Sequence, residues 1–337
     1  MKYFLILLNF LASFTIGIDK SFDYYLKYHQ NLVEKINNMN TTWKAKLNPV
    51  DVRPLLGVLL DEEKKSFKKE RLSIPARNVT PIKDLPENFD LRNEYPYCNS
   101  LFQIRDQANC GSCWAVASVE TMSDRHCIIS KGAQKPILSA SAVISCCSLC
   151  GKGCNGGLPY EAFIYWLGAG IPTGGEYGDT ETCLPYFLPK CNHHINDTGL
   201  PDCPPSAKEP SCNKTCQEVY NIAYNDDRYF ASEYYTVKGE AEIMTEIYER
   251  GSIESNFLVY DDFVDYKEGV YQHVEGELLG GHAIKIIGWG IENGVKYWLC
   301  VNSWNEFWGD KGTFKILRGE NHCKIEGNIV TGMPKLN

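Results

Sequence analysis

Three polar side chains set far apart in the chain could do chemistry together: a thiol, an imidazole and an amide. Cys110 and Cys113 stand three apart in Gln107-Ala-Asn-Cys110-Gly111-Ser112-Cys113-Trp114-Ala115, and the second opens a run with helical character. Downstream come Gly280-Gly281-His282-Ala283 and Val301-Asn302-Ser303-Trp304. A thiol, a base to take its proton and an amide to orient the base are the parts of a nucleophilic attack. A thiol attacks only after ionising, and the unpaired N–H groups at a helix start favour the anion. Cys113 is therefore expected to carry a lowered pKa. Singly these residues mean little, since a lone cysteine is usually structural and a lone histidine usually a satisfied polar side chain.

The elements that must position them follow from pattern. Cys113 to about Cys127 reads as a helix with Trp114, Val119 and Met122 inward, and Pro159 to Leu167 as a second. From about Tyr220 strand signals dominate, including Tyr297–Val301 and the alternating Thr313–Leu317. Gly239 to Arg250 is the exception, a helix with acids in its first turn and Arg250 near its end. One half is helix-rich and the other strand-rich. Near the N-terminus, Phe22, Tyr25, Leu26, His29, Leu32, Val33 and Ile36 recur at helical spacing. This is either an ordinary first helix of the domain or part of a removable segment.

Composition narrows the class. The 337 residues suffice for one large or two modest domains. A net charge of −8 argues against a nucleic-acid-binding surface; the basic run Lys64 to Arg71 reads as a solvated segment. Met1-Lys2 and the apolar run Tyr3–Phe14 read as a signal peptide over residues 1–17, with small Thr15 and Gly17 before the cut. No later segment has the length to span a bilayer, so no membrane partner is expected. All 15 cysteines lie between Cys98 and Cys323, as suits an oxidising compartment, and the odd count leaves a free thiol. The cluster Cys146-Cys147-Ser-Leu-Cys150-Gly-Lys-Gly-Cys154 would need reduced thiolates to hold zinc, so neither a metal nor another cofactor is expected.

Order and flanks together resemble the papain-like cysteine proteases, and within them the cathepsin B type. The resemblance implies an α+β, two-domain papain-like fold. A helical left domain and a β-barrel-like right domain flank an active-site cleft, with an occluding loop and an N-terminal prosegment besides. It implies that Cys113 and His282 form a thiolate–imidazolium pair, that His282 then protonates the leaving amine, and that Asn302 holds the ring while Trp304 shields that bond. Gln107 and the Cys113 N–H match the oxyanion hole, where one donor contributes roughly 3–4 kcal/mol to the transition state. Gly156 and Gly157 match glycines whose backbone pairs with extended substrate. Leu158, Pro159 and Ala283 match the wall of the S2 pocket, which takes the P2 side chain two residues before the scissile bond. Asn328 matches its floor, where the family often has a glutamate, so basic P2 residues should gain nothing and apolar or aromatic ones should be preferred.

The resemblance also divides the chain: prosegment over 18–84, with Asn37–Trp43 (NNMNTTW) as its signature and an accessible linker from Ser73, then a mature peptidase over 85–337. Cys113 and His282 are 169 residues apart, against about 130–150 in the papain pattern. The excess resembles the occluding loop, about 191–208, in which His193 and His194 would accept a substrate's terminal carboxylate. A polar surface loop or a metal site are the rival readings. An Asp106–His193 pair should clasp the loop. A second, Arg–Asp pair of the family falls on Leu200 and Phe307, where an apolar contact is expected instead. Implied disulfides are Cys98–Cys127, Cys110–Cys154, Cys146–Cys212, Cys147–Cys150, Cys183–Cys216 and Cys191–Cys203, with Cys300 a buried core thiol. Glycosylation sequons stand at Asn40, Asn78, Asn196 and Asn213. The expectation is a lysosomal or secreted monomeric zymogen, cutting peptides as endopeptidase and dipeptidyl carboxypeptidase through an acyl-thioester. Its own prosegment and cystatin-type proteins would inhibit it. The rivals are an endopeptidase only, or an inactive homologue acting as a binding or storage protein.

Overall fold

The computed structural model describes residues 24–48, 51–60, 74–193, 198–204 and 207–336. The leader over 1–17, Phe22, the basic run 64–71, His194 and Asn196 lie outside them. A helix over 24–38 (α1) and the strand Trp43–Ala45 (β1) form the N-terminal arm. Then come β2 (Phe89–Asp90), α2 (Leu91–Glu94), α3 (Cys113–Ile129), α4 (Ala140–Cys146) and α5 (Pro159–Gly168). The second half holds β3 (Phe230–Tyr235), α6 (Glu240–Arg250), β4 (Ile253–Tyr260), α7 (Asp261–Val264) and β5 (Tyr266–Tyr271). It closes with β6 (Leu278–Glu292), β7 (Val295–Val301), β8 (Thr313–Leu317) and β9 (Ile329–Lys335). No helix among the described residues is long and apolar enough to cross a membrane.

The strands join one sheet in the order β1-β5-β8-β7-β6-β4-β9-β3, with β2 also on β6. One apolar core lies on this sheet; a second gathers α3, α4 and α5 around Trp114, Phe163 and Trp166. Helix α3 runs between them and is buried on every side from Cys113 to Ile128, so it lacks the single apolar stripe of a surface helix. Its polar residues are consumed internally. Asp124 pairs with Lys285 at 3.0 Å and accepts from Ser252 Oγ at 2.7 Å, while Arg125 pairs with Glu246 at 3.0 Å. These buried pairs tie α3 to β6 and to α6, and removing one partner of such a pair typically costs about 3–5 kcal/mol.

The arm is packed into the body. Strand β1 adds to the sheet edge, pairing Trp43 with Gly269 antiparallel on β5, and Trp43 is buried against Tyr266 and Tyr271. Leu32 and Ile36 of α1 are buried, each contributing roughly 1.5–3 kcal/mol. The linker beyond Ser73 is anchored at several points: the Arg77 amide donates to the Thr236 carbonyl at 3.0 Å, its guanidinium pairs with Glu233, the Pro75 carbonyl accepts the Thr236 amide at 2.9 Å, and the Ile82 amide donates to Thr245 Oγ1 at 3.0 Å.

Candidate active site

The turn from Gln107 to Ser112 delivers Cys113 to the first position of α3. The Gly111 amide donates to the Cys154 carbonyl at 2.9 Å, beside the Cys110–Cys154 disulfide, which fixes this turn. Across the cleft, His282 sits inside β6 opposite Phe257 of β4, and Asn302 follows the end of β7. His282 Nε2 donates to Asn302 Oδ1 at 2.8 Å, and that oxygen also accepts the Ser303 amide at 2.7 Å. Two donors on one oxygen fix the amide's orientation and hold the imidazole proton on Nε2. Nδ1 is therefore left as the basic nitrogen, and it has no hydrogen-bond partner among the described residues. Trp304 is buried with its ring 4.8 Å from that of His282, covering the His–Asn bond.

Gln107 is buried and doubly held: Oε1 accepts from Ser303 Oγ at 2.7 Å, and its backbone carbonyl accepts from Tyr186 Oη at 2.9 Å. Its Nε2 donates to the carbonyls of Cys110 (2.7 Å) and Leu55 (2.8 Å). Leu55 belongs to the arm, which runs through the cleft. Gly57 N–H donates to the Cys113 sulfur at 3.2 Å, Val58 N–H to Gly281 O, Leu59 N–H to Gly157 O, and Gly157 N–H to Gly57 O. Val58, Cys113, Ala117 and Ala283 form a small buried cluster.

This burial corrects the expected lowered thiol pKa. Desolvation pushes Cys113 up to about 12, against the amides of Ala283, Gly57 and Trp114, which favour the thiolate. Burial likewise depresses His282 to about 4, outweighing the Asn302 bond. Burial under the arm thus works against the charged form of both groups, and so against the thiolate–imidazolium pair that the resemblance implies.

The remaining predicted residues fall around the same cleft. Gly156, at φ +98, and Gly157 form its floor against Leu59 and Trp114. Leu158 and Pro159, both buried, open α5. Asn328 lines a pocket with Val58, Leu60, Asn256, Phe257, Leu258, Gly281 and Lys324. His193 is buried, with Nε2 at 2.7 Å from Asp106 Oδ1. Asp106 also accepts the Cys191 amide at 3.1 Å and Asn305 Nδ2 at 3.2 Å. Although burial alone would raise it, the His193 bond and these neighbours hold the Asp106 carboxyl below its ordinary range. Cys191, His193 and Cys203 converge as metal ligands would, yet the two sulfurs are joined in a disulfide, which offers no thiolate. Phe307 keeps 47% of its surface exposed and Leu200 is half-buried.

Six disulfides form: Cys98–Cys127, Cys110–Cys154, Cys146–Cys212, Cys147–Cys150, Cys183–Cys216 and Cys191–Cys203. Cys113, Cys300 and Cys323 are free, with Cys300 buried. Asn40, Asn78 and Asn213 are exposed. Sequence reasoning missed Leu55, Gly57 and Val58; the glycine inside the apolar run Leu55–Leu60 was the available signal.

A thiol at a helix start, a histidine fixed by an asparagine and a glutamine amide in one cleft define a cysteine peptidase, here closed by its own N-terminal arm. The model of the "Papain family cysteine protease" matches residues 85–333, and the chain belongs to that family. It is 42% identical over 316 residues to "Cathepsin B-like cysteine proteinase 3" of Caenorhabditis elegans, covering 90% of this chain and 82% of that one. It is 45% identical over 288 residues to the "Cathepsin B-like cysteine proteinase" of Schistosoma japonicum, covering 85% and 83%. Among solved structures, proCathepsin B S9 from Trypanosoma congolense matches with a TM-score of 0.77 and 34% identity, over 91% of this chain and 98% of that one. The chain is a cathepsin B-like cysteine peptidase in its proform, and the arm is its prosegment.

Proposed function

We propose that, once residues 18–84 are removed, the peptidase over 85–337 acts both as an endopeptidase and as a dipeptidyl carboxypeptidase. In the emptied cleft the Cys113 thiolate attacks the scissile carbonyl carbon, and Gln107 Nε2 with the Cys113 N–H takes up the oxyanion. His282 Nδ1, having received the thiol proton, passes it to the leaving amine, and the acyl-thioester is then hydrolysed by water. The observation that carries the exopeptidase half is the 2.7 Å Asp106–His193 contact, which clasps the 191–208 insertion to the body. His193 and the adjacent His194 would meet a substrate's terminal carboxylate, a charge-assisted contact in a partly closed cleft. At Asn328 the pocket floor has no carboxylate, so arginine at P2 gains no charge-assisted bond there. The leader and the six disulfides support passage through the secretory pathway to a lysosomal or extracellular site, with the exposed sequons as glycan acceptors. Cystatin-type proteins are the partners such a cleft would admit, and the enzyme works as a monomer.

The test compares a peptide with a free C-terminus against its amidated twin. Loss of dipeptide release on amidation is expected, with internal cleavage unchanged; equal release from both would leave only the endopeptidase. Labelling of Cys113 by an epoxide inhibitor separates either from an inactive homologue.

A further inference from the structure

The pocket floored by Asn328 opens from the cleft beside Gly281, the residue before His282, and Val58 and Leu60 of the prosegment help to line it. It is therefore a place where the cleft receives side chains of a bound chain. Among its eight lining residues Lys324 alone carries a charge. The Lys324 side chain is exposed and has no ion-pair or hydrogen-bond partner among the described residues. Its backbone sits at φ +65, following Cys323 at φ +49, in a left-handed stretch that side-chain-bearing residues rarely adopt. The nearest carboxylate along this segment, Glu326, is spent elsewhere: it accepts from Trp298 Nε1 and from the amides of Gly319 and Asn321. The pocket is also lined by the side chains of Asn256 and Asn328. About 70 Å³ remains open beside the prosegment side chains.

We propose that Lys324 selects for an acidic P2 residue. It would hold the P2 carboxylate by a charge-assisted hydrogen bond, with the Asn328 amide as a second donor. The pocket would then differ from a neutral apolar one: glutamate is favoured over its uncharged isostere, leucine is still accepted by Phe257 and Leu258, and arginine is repelled. The inference rests on the peptidase reading above and deepens it.

The experiment uses the mature enzyme and four substrates differing only at P2: Glu, Gln, Leu and Arg. The wild type should show kcat/KM for Glu above that for Gln by about three- to fivefold, the size of a partly exposed charge contact. The gap should shrink as salt rises. Lys324→Gln should bring the Glu-to-Gln ratio to about one and improve Arg, while Lys324→Arg keeps the preference. A ratio at or below one in the wild type, or a ratio unmoved by Lys324→Gln, overturns the proposal. Turnover of the Leu substrate reports an intact peptidase in each variant; failure on all four substrates would instead overturn the peptidase reading on which this one rests.

Discussion

The Gly57 amide donates to the Cys113 sulfur across 3.2 Å, so what meets the nucleophile in the proform is an N–H group and not a carbonyl carbon. The prosegment thereby fills the cleft without offering a bond to cut at that point. A side chain at Gly57 would run into the Gly111 carbonyl, which explains why the backbone comes this close.

Gly57→Ala should therefore loosen the proform. Overpacking of this kind costs about 1–3 kcal/mol, so the open form should rise by roughly 5- to 150-fold. Iodoacetamide labelling of Cys113 in the full-length zymogen measures it. Labelling no faster than in the parent would show that the contact does not hold the cleft shut.

Acid should release the prosegment. His282 is depressed to about 4 when covered, so the closed form binds the neutral ring. The closed form's advantage is complete above the ordinary imidazole value of about 6.5 and is lost as pH falls through about 4. Cys113→Ala removes turnover and isolates binding: affinity for an added prosegment peptide should fall between pH 6.5 and 4, by up to about tenfold per unit. A flat profile would refute the assignment.

His29 of α1 meets Asp265 at 2.6 Å, both fully buried, and Asp265 also accepts the Asn48 amide at 2.7 Å. Replacing one partner strands a buried polar group, at about 3–5 kcal/mol. His29→Leu should lower the zymogen's melting temperature and speed its activation. Removal of α1 takes His29 away, so the mature enzyme should keep its melting temperature. An unchanged zymogen would mean that packing of Leu32 and Ile36 alone seats the helix.

Asp106 lies below the ordinary carboxylate range, so its contribution to the clasp is present above about 3.9 and is lost only as pH falls through its depressed value. The insertion should thus stay clasped through mildly acid conditions. Asp106→Ala takes away the carboxylate that meets buried His193 and should reduce dipeptide release at least about tenfold, with endopeptidase activity on long peptides kept. Equal loss of both activities would point to general damage at Gln107 next door.

Gln107→Ala should act twice. In the mature enzyme it removes an oxyanion donor, lowering kcat by about 10²–10³ with KM little changed. In the zymogen it removes the bond to the Leu55 carbonyl, and labelling of Cys113 should quicken. A KM effect alone would reassign the residue to substrate binding.

What the sequence determined by itself were the local things. Cys113 at a helix start and the strands at Tyr297–Val301 and Thr313–Leu317 are read from neighbours in the chain, because propensity and turn chemistry are short-range; the glycines of the floor and the insertion at Cys191 came with the family resemblance. The disulfide pattern needed the family resemblance, since spacing does not specify pairing. Only the tertiary structure decided the direction in which the thiol is shifted: the same Cys113 at the same helix start has its pKa pushed up rather than down once a segment 56 residues upstream covers it. Burial is a property of what packs on a group from afar, and the desolvation it brings outweighs the helix terminus. The same reason hid the all-round burial of α3, a helix that was legible but whose outer face was not known to be covered, and the His29–Asp265 pair, whose partners are 236 residues apart.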